Sequence, residues 1–169
     1  MNQMKQIRIE KLTLNVGAGT NQDLLKKGMK LLKNITGVEP VKTISEKRIP
    51  SWGVRPGLPV GCKITIRGSK VEEIIPNLLK AKDNLIKKSC FDSNGNLSFG
   101  IHEYIDVPNL NYDSEIGIIG FQISVTLTRP GYRIKNRKKL TRKVGKTHKI
   151  SQEEGIKYFE EKFGIKVEE

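Results

Sequence analysis

The chain has 169 residues, a length that suits one domain or two small ones. Its 31 Lys and Arg against 18 Asp and Glu give a net charge of +13, and 36% of its residues are apolar. This is apolar enough for a packed core, while no apolar run approaches the length of a transmembrane helix, so a membrane protein is excluded. Met1 to Glu10 is polar and basic, so no secretory signal is expected. Cys62 and Cys90 form no C-x-x-C pair, so neither a zinc site nor a disulfide framework is indicated, and a reducing, intracellular compartment fits. The charge is concentrated: residues 1–68 carry net +9 and residues 129–150 net +10, with mildly acidic stretches between and after them. Two basic blocks on one small chain point to a polyanionic partner with a defined footprint.

Ile7 to Val16 alternates imperfectly and predicts a strand with one apolar face. Gly17-Ala18-Gly19 ends it, and Thr20 or Asn21 caps a helix running to about Thr36, stopped by Gly37. Val41 to Ser45 is a short strand. Ile49 to Gly61 carries three prolines and three glycines and predicts a long loop. Cys62 to Arg67 alternates again, with Lys63, Thr65 and Arg67 on one face and Cys62, Ile64 and Ile66 on the other. Ser69 to Glu72 matches a capping box, and the helical spacing after it continues to Ile86, with Pro76 expected to kink the helix or delay its start. Asp92 to Gly95 is a turn, Leu97 to Ile105 and Gly120 to Arg129 are strands, and Ser114 to Ile119 has room for a helical turn. A second capping box, Ser151 to Glu154, opens a helix with Ile156, Phe159 and Phe163 on one side and Gly164 at its end. This order predicts an α+β domain, mainly an antiparallel sheet with helices packed on one face and a long Pro/Gly loop.

Catalytic motifs are weak. Gly17-Ala18-Gly19 lacks the third glycine of a dinucleotide fingerprint, since position 22 is Gln22, and a tight strand-to-helix turn is the simpler reading. Gly145-Lys146-Thr147 lacks the partner glycine of a phosphate loop, because Leu140 stands there. His102 and His148 have no second ligand at metal spacing. His102 reads as a structural or surface residue, and His148 as a hydrogen-bond donor to RNA or protein. Lys63, Thr65 and Arg67 form either a solvated strand face or a face that holds an RNA backbone, and the overall charge favours the second. Trp52, the only Trp, lies between Lys47-Arg48 and Arg55, where it either stacks on a base or folds back onto its own loop. The 129–149 tract is either a disordered polyanion-binding segment or, given Pro130-Gly131-Tyr132 before it and a capped helix after it, an element ordered at least when bound.

Five stretches, taken in order, resemble a known family. They are Leu14 to Gly19, Ile35 to Thr43, Arg55 to Arg67, Gly95 to Ile101 and Gly120 to Ile123. The family is the universal large-subunit ribosomal protein that binds 5S ribosomal RNA, the "L-five" family. The chain begins almost at the first strand and carries Thr128 to Ile134 followed by the basic tract, which resembles the archaeal branch.

The resemblance implies a single 5S rRNA-binding domain over residues 1–169 that includes the branch-specific tract at 129–150, with no catalytic activity, cofactor or membrane partner. It implies a cytoplasmic protein, a monomer within the ribosome, in the central protuberance of the large subunit. Asn15, Trp52 and Thr65 would contact the RNA, with Lys47, Arg48, Arg55, Lys63 and Arg67 neutralising phosphate. Val38 stands where the family has a polar contact, so that hydrogen bond is missing. The loop of Ile49, Pro50, Ser51, Trp52, Gly53, Val54, Arg55, Pro56 and Gly57 would face the P-site tRNA, and another edge would bridge to a small-subunit head protein of the S-thirteen family. Arg129, Arg133, Lys135, Arg137, Lys138, Lys139, Arg142 and Lys143 form a second basic surface, expected to meet other large-subunit rRNA or the small subunit.

Overall fold

Alternation in the first strand sets the architecture. In β1 (Arg8–Gly17), Leu12, Leu14 and Val16 are buried while Thr13 and Asn15 between them are not. The computed structural model describes residues 2–108 and 110–168. β1 is followed by α1 (Gln22–Thr36), β2 (Val41–Ile44), β3 (Pro59–Ile66), α2 (Lys70–Lys80) and β4 (Leu85–Lys87). Then come β5 (Leu97–Ile101), β6 (Phe121–Thr128), the single-turn α3 (Arg133–Asn136), α4 (Gln152–Phe163) and β7 (Lys166–Glu168). Five strands form an antiparallel sheet in the order β2-β3-β1-β6-β5, and β4 pairs in parallel with β7 in a separate two-stranded ribbon. This is the expected α+β fold, with one face of the sheet covered by helices.

The covered face carries Leu12, Leu14 and Val16 from β1, Cys62, Ile64 and Ile66 from β3, and Ile123, Val125 and Leu127 from β6. The apolar stripe of α1 (Leu25, Leu31 and Leu32) and that of α2 (Val71, Ile75, Leu78 and Leu79) join this core. Asn21 caps α1 by accepting the backbone N–H groups of Asp23 and Leu24, and Gly37 closes it in the left-handed region. Gly28, which costs the helix propensity, lets α1 sit close to the sheet: a Cβ there would lie 2.9 Å from Val16 Cγ1 and 3.2 Å from Cys62 Sγ. Burial pushes the Cys62 thiol up to about 11, so it is a small core hydrophobe and stays protonated.

Several expected boundaries move, each for a physical reason. β3 starts at Pro59, three residues before Cys62, because a proline is tolerated at the first position of a strand. Ser69 forms no capping box; it is itself helical (φ −60°, ψ −35°), and Glu72 instead pairs with Lys162 on α4. α2 continues through Pro76 and stops at Lys80. Asp83 and Asn84, both at positive φ, then reverse the chain, so Ile86 lies in β4 and not on the helix. β5 ends at Ile101, before Ile105, where the chain turns so that Tyr104 is buried and its Oη accepts the Asp113 N–H at 2.8 Å. Ser151 and Glu154 do form the reciprocal capping box at the start of α4.

The basic tract is a pinned loop. Arg129, expected on the second basic surface, is only 6% exposed, and that assignment is corrected. Its guanidinium donates to the carbonyls of His148 and Lys149 at 3.3 and 3.1 Å and to Glu154 Oε1 at 2.8 Å. A cation taken out of water needs such partners, so the side chain joins the two ends of the tract and is withdrawn from solvent. Tyr132 Oη donates to the His148 carbonyl and accepts the Ile150 N–H, and the His148 ring lies 2.9 Å from the Pro130 carbonyl. The His148 side chain therefore bonds within its own chain. Glu154 is held below the usual glutamate range first by the Ser151 N–H and then by Arg129.

Gly28→Val forces α1 off the sheet and lowers unfolding stability by about 2 kcal/mol, read in urea denaturation. Arg129→Ala leaves the carbonyls and Glu154 without their cation and costs about 3 kcal/mol by the same measurement. The increment from Glu154 is present above the ordinary glutamate range and is lost as pH falls through its depressed folded value. The stability gap between wild type and Glu154→Gln is therefore open at neutral pH and closes as pH falls through the depressed Glu154 value.

Candidate nucleic-acid interface

The second face of the sheet has no helix on it, and strand register arranges its side chains in rows. Asn15 lies opposite Lys63 on β3 and Gln122 on β6, and Gln122 lies opposite Gly100 on β5. The next row runs Thr65, Thr13, Ser124 and Ser98. Asn15 donates its side-chain N–H to Gln122 Oε1 at 3.0 Å, which orients the amide, and the Ser98 and Ser124 hydroxyls are 3.0 Å apart. Lys63 and Thr65 are exposed on this face, and Arg67 is exposed just past the end of β3. The register thus brings together Asn15, Lys63 and Thr65, which lie far apart in the chain. Gln122, Thr13, Ser124 and Ser98 were not singled out from the sequence, although the polar alternation of Gln122, Ser124 and Thr126 in β6 carried that signal.

Towards the Pro/Gly loop the face becomes bare backbone. Gly17 pairs with Gly61, and Gly61 pairs with Thr43. A Cβ at Gly61 would lie 2.6 Å from the Val16 carbonyl oxygen and 3.0 Å from Thr43 Oγ1, so the close fit of the three strands excludes any side chain there.

Beyond this point the loop from Ser45 to Leu58 is folded. Ser45 donates its N–H to Leu58 and accepts the N–H of Gly57, both at 2.9 Å. Ile49 and Val54 exchange both backbone hydrogen bonds around a single 3-10 turn, Pro50–Trp52. Val54 is 4% exposed and anchors the turn, while Trp52 is 71% exposed. Of the two readings of Trp52, folding back onto its own loop is excluded by this exposure. Lys47, Arg48, Ser51 and Arg55 are exposed around it, as are Pro50, Gly53, Pro56 and Gly57, and Ile49 is half-buried. The loop therefore presents one exposed indole, with three exposed cations in the same short segment.

The pinned tract presents a further basic surface. Arg133, Lys135, Arg137, Lys138, Lys139, Arg142 and Lys143 are exposed, and Arg129 is not. Val38 is exposed, without a polar side chain to offer.

The glycine turn after β1 spends its glycine-segment amides on the chain itself. The Ala18 and Gly19 N–H groups both donate to the Val60 carbonyl, at 2.9 and 3.0 Å, and Asn21 occupies the first amides of α1. A dinucleotide at this turn would have to displace the contact between the end of β1 and Val60 of β3, so the strand-to-helix turn is the correct reading. Lys146 and Thr147 lie in a three-residue 3-10 turn with no strand before it. No group of His, Cys, Asp and Glu able to hold a metal occurs among the described residues.

Comparison with known proteins agrees with this geometry. The chain matches the family described as "Ribosomal protein L5" over residues 2–55 and the C-terminal part of that ribosomal family over residues 59–158. The two matched segments meet in one sheet, since β1 from the first lies between β3 and β6 from the second. It is 47% identical over 165 residues to the large ribosomal subunit protein uL5 of Nanoarchaeum equitans, covering 97% of both chains. Identity to the uL5 protein of Sulfurisphaera tokodaii is 41% over 170 residues, covering 100% of this chain and 96% of that one. For Nitrosopumilus maritimus uL5 it is 43% over 164 residues, covering 97% and 95%. With family matches along most of its length and full-length archaeal relatives, the chain belongs to the uL5 family and is a structural component of the large ribosomal subunit, not an enzyme.

Proposed function

We propose that the open face of the sheet and the Trp52 loop bind 5S rRNA and help to hold it in the central protuberance. The observation that carries this reading is the register that sets Asn15, Lys63 and Thr65 side by side on a helix-free face, with Arg67 at its edge. Side chains cannot read the deep groove of A-form RNA, so recognition falls on loops, sugars and phosphates. The oriented Asn15 amide and the Thr65 hydroxyl suit sugar hydroxyls and base edges, and Lys63 and Arg67 suit phosphates. Trp52 stacks on an unpaired base while Lys47, Arg48 and Arg55 hold the phosphates around it.

On the same reading, residues 49–57 face the P-site tRNA when the ribosome is loaded, and another edge of the protein bridges to a small-subunit head protein of the S-thirteen family. The resemblance in the five ordered stretches supports these roles. The exposed rim of the 133–143 tract is a second RNA surface, directed at other large-subunit rRNA. A free-standing RNA-binding regulator is the alternative, and co-sedimentation with large subunits at moderate salt separates the two.

Trp52→Ala weakens 5S rRNA binding by about 1–3 kcal/mol in a filter-binding titration, and unchanged affinity would remove the stacking role. Lys63→Ala combined with Arg67→Ala weakens binding to every 5S variant alike and lowers the salt slope of log K by about 1.5. An unchanged slope places both charges away from the phosphates.

A further inference from the structure

The pinned tract closes over a cleft on the side of the sheet opposite the rows described above. Its volume is about 760 Å³, within the range of roughly 300–1,000 Å³ typical of small-molecule sites. The floor is apolar and aromatic: Leu127 from the covered face of β6, Tyr132, and Val144 from the tract. Lys135, Lys143, Lys146 and Lys149 rim it, and no carboxylate is among its lining residues. Asn94 and Asn96 supply amides on one wall. Asn96 is held in place, since its Oδ1 accepts the Leu127 N–H at 2.9 Å and its Nδ2 donates to Asp92 at 2.8 Å. Lys135 lies 4.6 Å above the Tyr132 ring, and the Tyr132 hydroxyl is already used by the Ile150 N–H and the His148 carbonyl. Tyr132 is 8% exposed, so what it offers the cleft is the small part of its ring left uncovered beside Lys135.

We propose that this cleft takes one unstacked nucleotide of a single-stranded RNA segment. This rests on the reading of the tract as an RNA surface and adds to it a site separate from the sheet face. Four lysines outnumber the one carboxylate nearby, Asp92, which is engaged by Asn94 and Asn96, and they call for phosphate. A floor of aromatic and branched carbon suits the face of a base, and side-chain amides suit its hydrogen-bonding edge. An acidic peptide would satisfy the lysines but leave the floor and the amides without a partner. The buried Arg129 and the Tyr132 hydroxyl hold both ends of the tract, so the cleft is formed before the ligand arrives.

The test uses the full chain and a uridine hexamer with 4-thiouridine at one position, followed by fluorescence anisotropy and by crosslinking with mass spectrometry. Crosslinks to Tyr132 or to residues 143–146 are expected. Gly145 lines the cleft, has an ordinary backbone (φ −57°, ψ 146°) and has no atom within 4 Å of an added Cβ, so Gly145→Leu fills space without strain. This variant raises the hexamer Kd at least tenfold and leaves 5S rRNA binding within twofold. Retained 5S binding also shows that the variant is folded; if it is lost, the wild-type crosslinks decide. Lys63→Ala with Arg67→Ala leaves the cleft crosslinks in place, so failure of the sheet reading and failure of this one are distinguishable. The proposal is overturned by absence of hexamer binding, by crosslinks confined to β3 or the Trp52 loop, or by displacement of the hexamer at equal affinity by a poly-glutamate peptide. It is also overturned if Lys143→Ala with Lys146→Ala weakens binding while Gly145→Leu does not, since charge alone would then explain the attraction.

Discussion

The pairing of β1 on both of its edges is the constraint on which the rest depends. β1 lies in the middle of the sheet, antiparallel to β3 on one side and to β6 on the other. Because side chains alternate with a period of two, the register from Lys11 to Gly17 sorts the residues of β1 and their partners on β3 and β6 between the core and the open face. Leu12, Leu14 and Val16 go under α1 and α2, and Thr13 and Asn15 go to the polar face. A slip of one residue would bury Asn15 and expose Leu14, so the energy of the core also specifies the interface. Gly28 and Gly61 serve the same constraint from opposite sides: one lets a helix meet the covered face, and the other lets three strands meet at the rim of the open face.

The second basic block raises a different physical problem. Ten cations in residues 129–150 repel one another, and a segment of such composition is usually disordered. Here one of the ten is withdrawn from solvent and used as a fastener. Arg129 binds two carbonyls near the end of the tract and the carboxylate of Glu154, which itself belongs to the capping box of α4. Tyr132 adds a second tie between the same two regions. The remaining cations are exposed on a short loop with fixed ends, so the entropy of ordering them is reduced before any RNA is met.

The Pro/Gly loop divides its work between two neighbouring residues. Val54 is buried and holds the turn; Trp52, two positions earlier, is exposed. The prolines and glycines permit the reversal between β2 and β3, and the paired Ile49 and Val54 backbones fix it. The large apolar ring of Trp52 is left in water on a turn whose backbone is fixed by paired hydrogen bonds.

Much was legible in the chain itself. Alternation around Leu12 to Val16 and Cys62 to Arg67, the caps at Asn21 and Ser151, and the glycine stops at 37 and 164 are local properties, encoded within a few residues by backbone geometry and burial period. The same locality explains the errors. The apparent capping box at Ser69 did not form because Glu72 found Lys162, 90 residues away. Ile86 kept a helical spacing in a segment already reversed by Asp83 and Asn84. Arg129 looked like one more surface cation because the partner that buries it, Glu154, lies 25 residues further on. By itself the sequence determined most of the elements, though not β4, α3 or β7, together with the two positive blocks and the family, since these depend on residue type and near-neighbour spacing. Only the tertiary structure decided which cations are free, that Trp52 projects, and that Asn15 adjoins Lys63 and Gln122, because adjacency across strands is set by register and long-range contact.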